Sequence, residues 1–242
     1  MNSSRLPGKV LMKVGKMLII ERIVKRLSEC LSLDKIIVAT SDQKSDDKIA
    51  NWCLENNVSL FRGSLFDVLD RYYRAAQKFE ADTIVRITGD CPLVDPNIVD
   101  EVVTNYKKGN FDAAGLHGEF PDGLDCQVFS MKAIELAWKN ATSTTDREHV
   151  GSYIENTRPD YFNLGKVELY HNLGHHRWTI DEPRDLEFLT LLIEDLEREK
   201  EHFYTEDVLR HLELFPDLVK INSSIVRNEG YLLSLKSENK YG

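Results

Sequence analysis

Short bursts of β-branched residues alternate with amphipathic stretches along the first hundred residues, and this alternation restricts the possible folds more than any other property of the chain. Over 17–31 the apolar residues Leu18, Ile20, Ile23, Val24, Leu27 and Leu31 recur at three- and four-residue spacing, with Glu21, Arg22, Lys25 and Arg26 between them. That spacing predicts a helix with one buried face. The run Ile36-Ile37-Val38-Ala39-Thr40 is too short for a helix and ends in Ser41-Asp42, which predicts a buried strand feeding a loop. The same reading gives a helix at 46–55, a strand at 58–61, a helix at 67–79, a strand at 83–87 and a helix after Pro96. Short connections between alternating elements predict an α/β fold whose sheet is mostly parallel, with helices on both faces. Ligands in such folds gather beyond the carboxyl ends of the strands, so the loops after Thr40, Phe61 and Ile87 are the places to look.

The second half is less regular. Strands are expected at 112–114 and 126–129, flanking the loop 120–125, then two helices, then strands at 167–170 and 177–180. Asp181-Glu182-Pro183 opens a long helix to about Lys200, with proline in the first turn where its missing N–H costs nothing. A helix at 206–214 and a polar tail from Asn222, expected to dock loosely, complete the chain. A length of 242 residues suits one domain over 1–215, with 111–170 as an insertion and 216–242 as an extension. A formal charge of −9 with no Lys/Arg block argues against a nucleic-acid partner. No apolar run approaches the roughly 20 residues of a membrane span, and the N-terminus has no signal-like apolar stretch, so a cytoplasmic protein is expected. Cys30, Cys53, Cys91 and Cys126 form no C-x-x-C and are read as reduced. His171, His175 and His176 lack a partner motif and are read as structural.

Three segments carry candidate chemistry. Ser3-Ser4-Arg5-Leu6-Pro7-Gly8-Lys9 places small residues and two cations just before a helix; it is either an anion loop, with backbone N–H groups and cations facing phosphate, or a basic terminus. Few apolar residues surround it, so Arg5 and Lys9 are expected to serve chemistry rather than folding. Asp90 ends a predicted strand beside Gly89, which lets a ligand approach the backbone; the carboxylate either binds a hard cation or caps a turn. Asp181 stands where a strand meets a helix, and alone it reads as a helix cap.

Together with Gly63-Ser64-x-x-Asp67-Val68-Leu69-Asp70-Arg71-Tyr72-Tyr73, Thr88-Gly89-Asp90-Cys91-Pro92-Leu93, Phe120-Pro121-Asp122-Gly123-Leu124-Asp125, Asp146-Arg147-Glu148-His149-Val150 and Ile180-Asp181-Glu182-Pro183-x-Asp185-Leu186-Glu187, these blocks resemble the spore-coat polysaccharide SpsF branch of the cytidylyltransferases. Acylneuraminate and 3-deoxy-manno-octulosonate cytidylyltransferases are related to that branch. The resemblance spans about residues 3–215 and implies a Rossmann-like nucleotide-diphospho-sugar transferase fold with a small dimerisation and sugar-binding subdomain. It also implies transfer of CMP from CTP to a sugar acid with release of pyrophosphate, for surface polysaccharide or glycan synthesis. Carried onto this sequence, Ser3, Ser4, Arg5, Lys9 and Gly89 would hold the nucleotide, with Arg5, Lys9 and Asp90 catalytic. Asp90 and Asp181 would hold magnesium, and Asp122, Asp125, Arg147 and His149 would contact the sugar.

Two departures accompany the resemblance. The family's Ser-Ser-Arg loop follows a strand ending in Gln-Ala-Arg-Met, whereas this sequence starts at Met1, so a central strand is expected upstream of it. Gln127 stands where many relatives have an acid. A GT-A glycosyltransferase would hold its metal through Asp-x-Asp, a pattern this chain lacks, and a catalytically silent nucleotide-binding homologue is the other alternative. Finally, Phe120, Leu124, Phe129, Trp138, Tyr161 and Phe162 are more apolar residues than a small subdomain readily covers, so a homodimer contacting through about 111–170 is expected.

Overall fold

A computed structural model describes residues 5–227 together with Tyr231 and Ser234. The chain opens with a hairpin, β1 (Lys13–Val14) against β2 (Met17–Leu18), and runs directly into α1 (Ile19–Leu27). The apolar period predicted over 17–31 thus holds for nine residues, and its first two belong to the hairpin. Next come β3 (Ile37–Ser41), α2 (Asp47–Glu55), β4 (Ser59–Gly63), α3 (Val68–Lys78), β5 (Thr83–Arg86) and α4 (Pro96–Gly109), in the predicted alternation. The remaining elements are β6 (Ala113–His117), β7 (Gln127–Ser130), α5 (Met131–Asn140), α6 (Thr144–Glu148), β8 (Leu164–Glu168), α7 (Pro183–Glu199) and α8 (Thr205–Leu214).

The sheet arrangement corrects the expectation of a mostly parallel sheet. β3 and β4 pair in parallel, with Ile37 opposite Ser59 and Ser41 opposite Gly63. A separate four-stranded sheet has the order β5-β7-β6-β8, in which β7 is antiparallel to both neighbours and only β6 and β8 are parallel. The cause lies in the connection: β7 follows β6 with no helix between them, and a return without a crossover element pairs antiparallel. Segment 111–170 supplies three of these four strands.

Residues 177–180 were expected as a strand but make only one isolated bridge, Asp122 with Arg177. Their alternation of polar and apolar side chains mimics a half-exposed strand, yet Arg177, Trp178, Thr179 and Ile180 are all buried. The segment is an extended connector clamped on both sides. It packs against the loop 120–125, whose Gly123 has φ +104°, and a Cβ there would lie 2.6 Å from the Trp178 carbonyl carbon. Only glycine allows that approach.

Helices α1, α4, α7 and α8 enclose the largest core, centred on Trp178, Phe188 and Leu192. A second core joins α3, α5 and the turn Tyr153–Thr157, and a third lies between α2 and the β3-β4 pair. Burying each large apolar side chain in these clusters contributes about 1.5–3 kcal/mol. The apolar residues expected to seek a partner are absorbed here: Phe120, Leu124 and Phe129 are buried, Trp138 stacks on Tyr73 at 4.3 Å, and Phe162 packs in the second core. Of those six, Tyr161 alone is mostly exposed, and it carries Arg158 over its ring. The start of the tail, residues 222–227, is more firmly docked than expected, and most of the rest of it lies outside the described residues. After the turn Pro216–Ile221, buried Asn222 donates to the Arg177 carbonyl at 2.9 Å and to Asp185 Oδ1 at 3.0 Å. All four cysteines are reduced and buried, and among the described residues no helix is long and apolar enough to cross a membrane.

Candidate functional site

The first node of the site joins three distant segments. Gly8, at φ +76°, turns the chain from Arg5-Leu6-Pro7 into the single turn Lys9–Leu11. Lys9 Nζ donates at 2.7 Å to Asp90 Oδ2, to Asp181 Oδ1 and to the Ile180 carbonyl. Asp90 lies just beyond the carboxyl end of β5 and Asp181 just before α7, and the Ile180 N–H donates to the Asp90 carbonyl at 2.9 Å, fixing the two backbones side by side. Burial works against the Lys9 ammonium, but the two carboxylates outweigh it and raise its pKa. Burial likewise pushes the Asp90 carboxyl up; the Lys9 charge, with hydrogen bonds from Lys9, Thr88 and Cys91, reverses this and holds it below the ordinary carboxylate value. Lys9 therefore helps hold the fold as well, contrary to the expectation that its loop is structurally idle. Arg5 lies 3.5 Å from Asp181 Oδ2 and 4.0 Å from Glu182. A Cβ on Gly89 would meet only Val10 at 3.4 Å, an ordinary contact, so one side of that turn is open. Ser3 and Ser4 lie outside the described residues.

Asp181 is not the helix cap that it resembles when read alone. The capping work falls to Asp185, which accepts from the N–H groups of Asp181 and Glu182 at 3.0 Å each, leaving the Asp181 side chain free for the node. Beneath it, buried Arg177 serves three acids: Asp185 through Nε and an Nη at 2.9 and 3.0 Å, Asp122 at 2.9 Å, and Asp181 at 3.2 Å. Burial opposes the Arg177 charge, and these carboxylates more than compensate. Asp122 receives only one of the shared donors. Burial, then the charge of nearby Asp125, pushes its carboxyl up to about 6 despite Arg227 and Arg177. Asp122 therefore faces inward onto Arg177, while Asp125 turns back to the Gly123 N–H at 3.0 Å and toward Arg227 at 3.8 Å.

A second polar cluster lies before Asp90, at the end of β5. Arg86 faces Gln127 across the β5-β7 ladder and donates to its Oε1 at 2.9 Å, while Gln127 Nε2 donates to both Glu155 oxygens at 2.8 Å. Arg86 Nε is buried with no hydrogen-bond partner. Burial raises the Glu155 carboxyl and lowers the His149 imidazole, against opposing contributions from Gln127 and Arg86 in the first case and Glu148 in the second. A Cβ on Gly151 would lie 2.8 Å from Gln127 Nε2, so glycine lets the segment after α6 close onto the cluster. Arg147, by contrast, turns away: two of its nitrogens bond Asp67, the N-cap of α3, and a third bonds the Trp138 carbonyl at 2.7 Å. His149 lies near enough to Arg86 for that charge to oppose its protonation, whereas Arg147 is held at Asp67.

Sequence reading missed Arg177, Arg86 and Glu155. Arg177 stands four residues before Asp181, and Arg86 is a lone charge inside the burst Ile84-Val85-Arg86-Ile87; a charge within an otherwise apolar strand is the signal that could have found it. Glu155 carries no comparable signal. Among the described residues no group of three or more His, Cys, Asp or Glu side chains could hold a metal. Two carboxylates and a carbonyl around one ammonium nevertheless form an oxygen-rich site that a small hard cation could share with a bound polyphosphate.

Comparison with known proteins places the chain in a family. The chain is 38% identical over 236 residues to an uncharacterised protein of Methanocaldococcus jannaschii, MJ1063, covering 95% of this chain and 93% of that one. It is 30% identical over 200 residues to the spore coat polysaccharide biosynthesis protein SpsF of Bacillus subtilis, covering 79% and 82%. The structure of a cytidylyltransferase from Leptospira borgpetersenii superposes with a TM-score of 0.82 at 30% identity, covering 90% and 92%. Residues 1–213 match the cytidylyltransferase family as a whole, and with acid and cation residues from both ends of that span meeting at one strand terminus, the chain is a nucleotidyltransferase that belongs to the cytidylyltransferase family.

Proposed function

We propose that this protein transfers CMP from CTP to a sugar acid, releasing pyrophosphate and forming a CMP-activated sugar. The observation that carries this reading is the meeting of Lys9, Asp90 and Asp181 beyond the carboxyl end of β5, where an α/β fold presents its ligand site. Magnesium fits the pair of acids, because that ion is held by one or two carboxylates together with substrate phosphates. When bound, it would neutralise charge building up on the α-phosphate and the departing pyrophosphate. Lys9 and Arg5 are the cations at hand for the triphosphate, and Lys9 would exchange its carboxylate partners for phosphate oxygens as the nucleotide arrives. A sugar hydroxyl positioned in line then attacks the α-phosphorus, and no covalent enzyme intermediate is needed.

The acceptor end of the site is the Arg86-Gln127-Glu155-His149 cluster. The place of Arg86 at the end of β5, four positions before Asp90, and its unpaired Nε suit a carboxylate held by a planar guanidinium. Similarity to proteins named 3-deoxy-manno-octulosonate cytidylyltransferase supports a sugar acid as the acceptor class. Pyrophosphate release measured across the four ribonucleoside triphosphates, with and without a panel of sugar acids, tests the reading. Release that requires both CTP and a sugar acid is the expected result. Inertness with every acid, or hydrolysis of a UDP-sugar instead, overturns it in favour of a silent homologue or a glycosyltransferase.

A further inference from the structure

Described residues near the end of the chain contact both parts of the site. Asn222 is anchored on Arg177 and Asp185 beneath the first node, Ser224 accepts from Arg184 at 2.8 Å, and Arg227 donates to the Phe120 carbonyl at 2.7 Å while lying 4.5 Å over the Phe120 ring. Beyond that anchor, Tyr231 meets the His149 ring edge-on, with centroids 5.1 Å apart at 88°. Ser234 Oγ lies 3.2 Å from His149 Nε2 and 3.1 Å from Glu148 Oε2. Ser234 can meet both by donating to Glu148 and accepting from a protonated His149 Nε2. In that arrangement Nδ1 is the lone-pair nitrogen of a neutral ring. Burial, which lowers the His149 pKa, keeps the ring in this neutral form.

None of these contacts is used by the reading of the site given above. From them we infer that Tyr231 and Ser234 position His149 and form the outer wall of the acceptor pocket, so that these two residues select which sugar acid enters. The inference rests on the assignment of the Arg86-Gln127-Glu155-His149 cluster to the acceptor. Tyr231 supplies a flat apolar face against which the less polar side of a sugar ring can lie, and Ser234 supplies the hydroxyl that orients the imidazole. Ser234 is a positioning residue, acting through His149, whereas Tyr231 would meet the sugar directly; neither touches the triphosphate node.

The test uses the full chain with Ser234→Ala, Ser234→Thr and Tyr231→Ala. Histidine-selective NMR reads the contact directly: the His149 ring signals shift in Ser234→Ala and return toward their original place in Ser234→Thr. Kinetics reads the consequence, using 3-deoxy-manno-octulosonate and N-acetylneuraminate as probes in the pyrophosphate assay. Ser234→Ala is expected to raise the acceptor KM about tenfold or more, with the CTP KM within about twofold; a loss of one well-placed hydrogen bond is of this size. Tyr231→Ala is expected to narrow the ratio of kcat/KM between the two acids. Unchanged His149 signals in Ser234→Ala overturn the inference, and so do shifted signals with an unchanged acceptor KM. If the unaltered chain releases pyrophosphate with no acid at all, the functional reading fails instead, and the NMR result still judges the contact.

Discussion

Asp122 offers a sharp test of how charge is distributed beneath the site. Its carboxyl shares Arg177 with Asp181 and Asp185, and it titrates near 6 in the folded chain. An unfolded chain returns it to the ordinary value near 4, so the folded protein carries a penalty of about 3 kcal/mol at neutral pH. The sign follows from linkage: because the folded pKa is raised, the penalty is complete above the folded value and disappears as pH falls below the unfolded one. Asp122→Asn removes the charge while keeping an acceptor for the Arg177 N–H. Weakening that charge-assisted bond to a neutral one gives back about 1–1.5 kcal/mol. The net gain is about 1–2 kcal/mol at pH 8, or roughly 2–8 °C in Tm for a protein of this size. Thermal denaturation followed by circular dichroism at pH 8 and pH 4 should show the variant more stable at the higher pH and no better than the parent at the lower. A variant destabilised equally at both pH values would refute the argument, and would mean that Arg177 fully compensates Asp122.

Two further substitutions probe the geometry. Lys9→Met leaves Asp90 and Asp181 facing each other without their shared ammonium; because all three side chains are partly exposed, the stability loss is discounted to about 1–3 kcal/mol, with kcat lowered by about 10² or more. Millimolar magnesium should recover part of the lost Tm in this variant, and a Tm indifferent to both the substitution and the ion would contradict the node. Gly123→Ala forces a Cβ to 2.6 Å from the Trp178 backbone at a φ that side chains avoid, for a cost of about 2–4 kcal/mol, and calorimetry showing a Tm within about 1 °C of the parent would exclude that clash.

The regular half of the fold is legible because its signals are local. Helices α2, α3 and α4 and strands β3, β4 and β5 each declare themselves by period and length within a dozen residues. What escapes is set by contacts across the chain. The direction of β7 depends on its partners β5 and β6, and the 177–180 segment looks like a strand until both of its faces prove to be covered. The site divides in the same way. Asp90 and Asp181 stand out only together, as members of the motif blocks that carry the family resemblance, and Lys9 joins them in space. Arg147 misleads because a cation in a recognisable motif says nothing of the carboxylate, here Asp67, that already holds it. Arg177 hides because its role is to balance acids that only the folded chain assembles.

The node at Lys9 has a consequence for how the protein is made. Its two carboxylate partners lie 81 and 172 positions further along the chain, so loops of that length must close before the three groups meet. Closing them costs entropy that local helix and hairpin formation does not, which places assembly of the node late in folding and makes it slow. A nascent chain still lacking Asp181 can build β3, β4 and β5 yet cannot complete the site proposed for the triphosphate. Nucleotide binding should therefore report completion of the fold from end to end, and should appear in a single late step when refolding is followed with time.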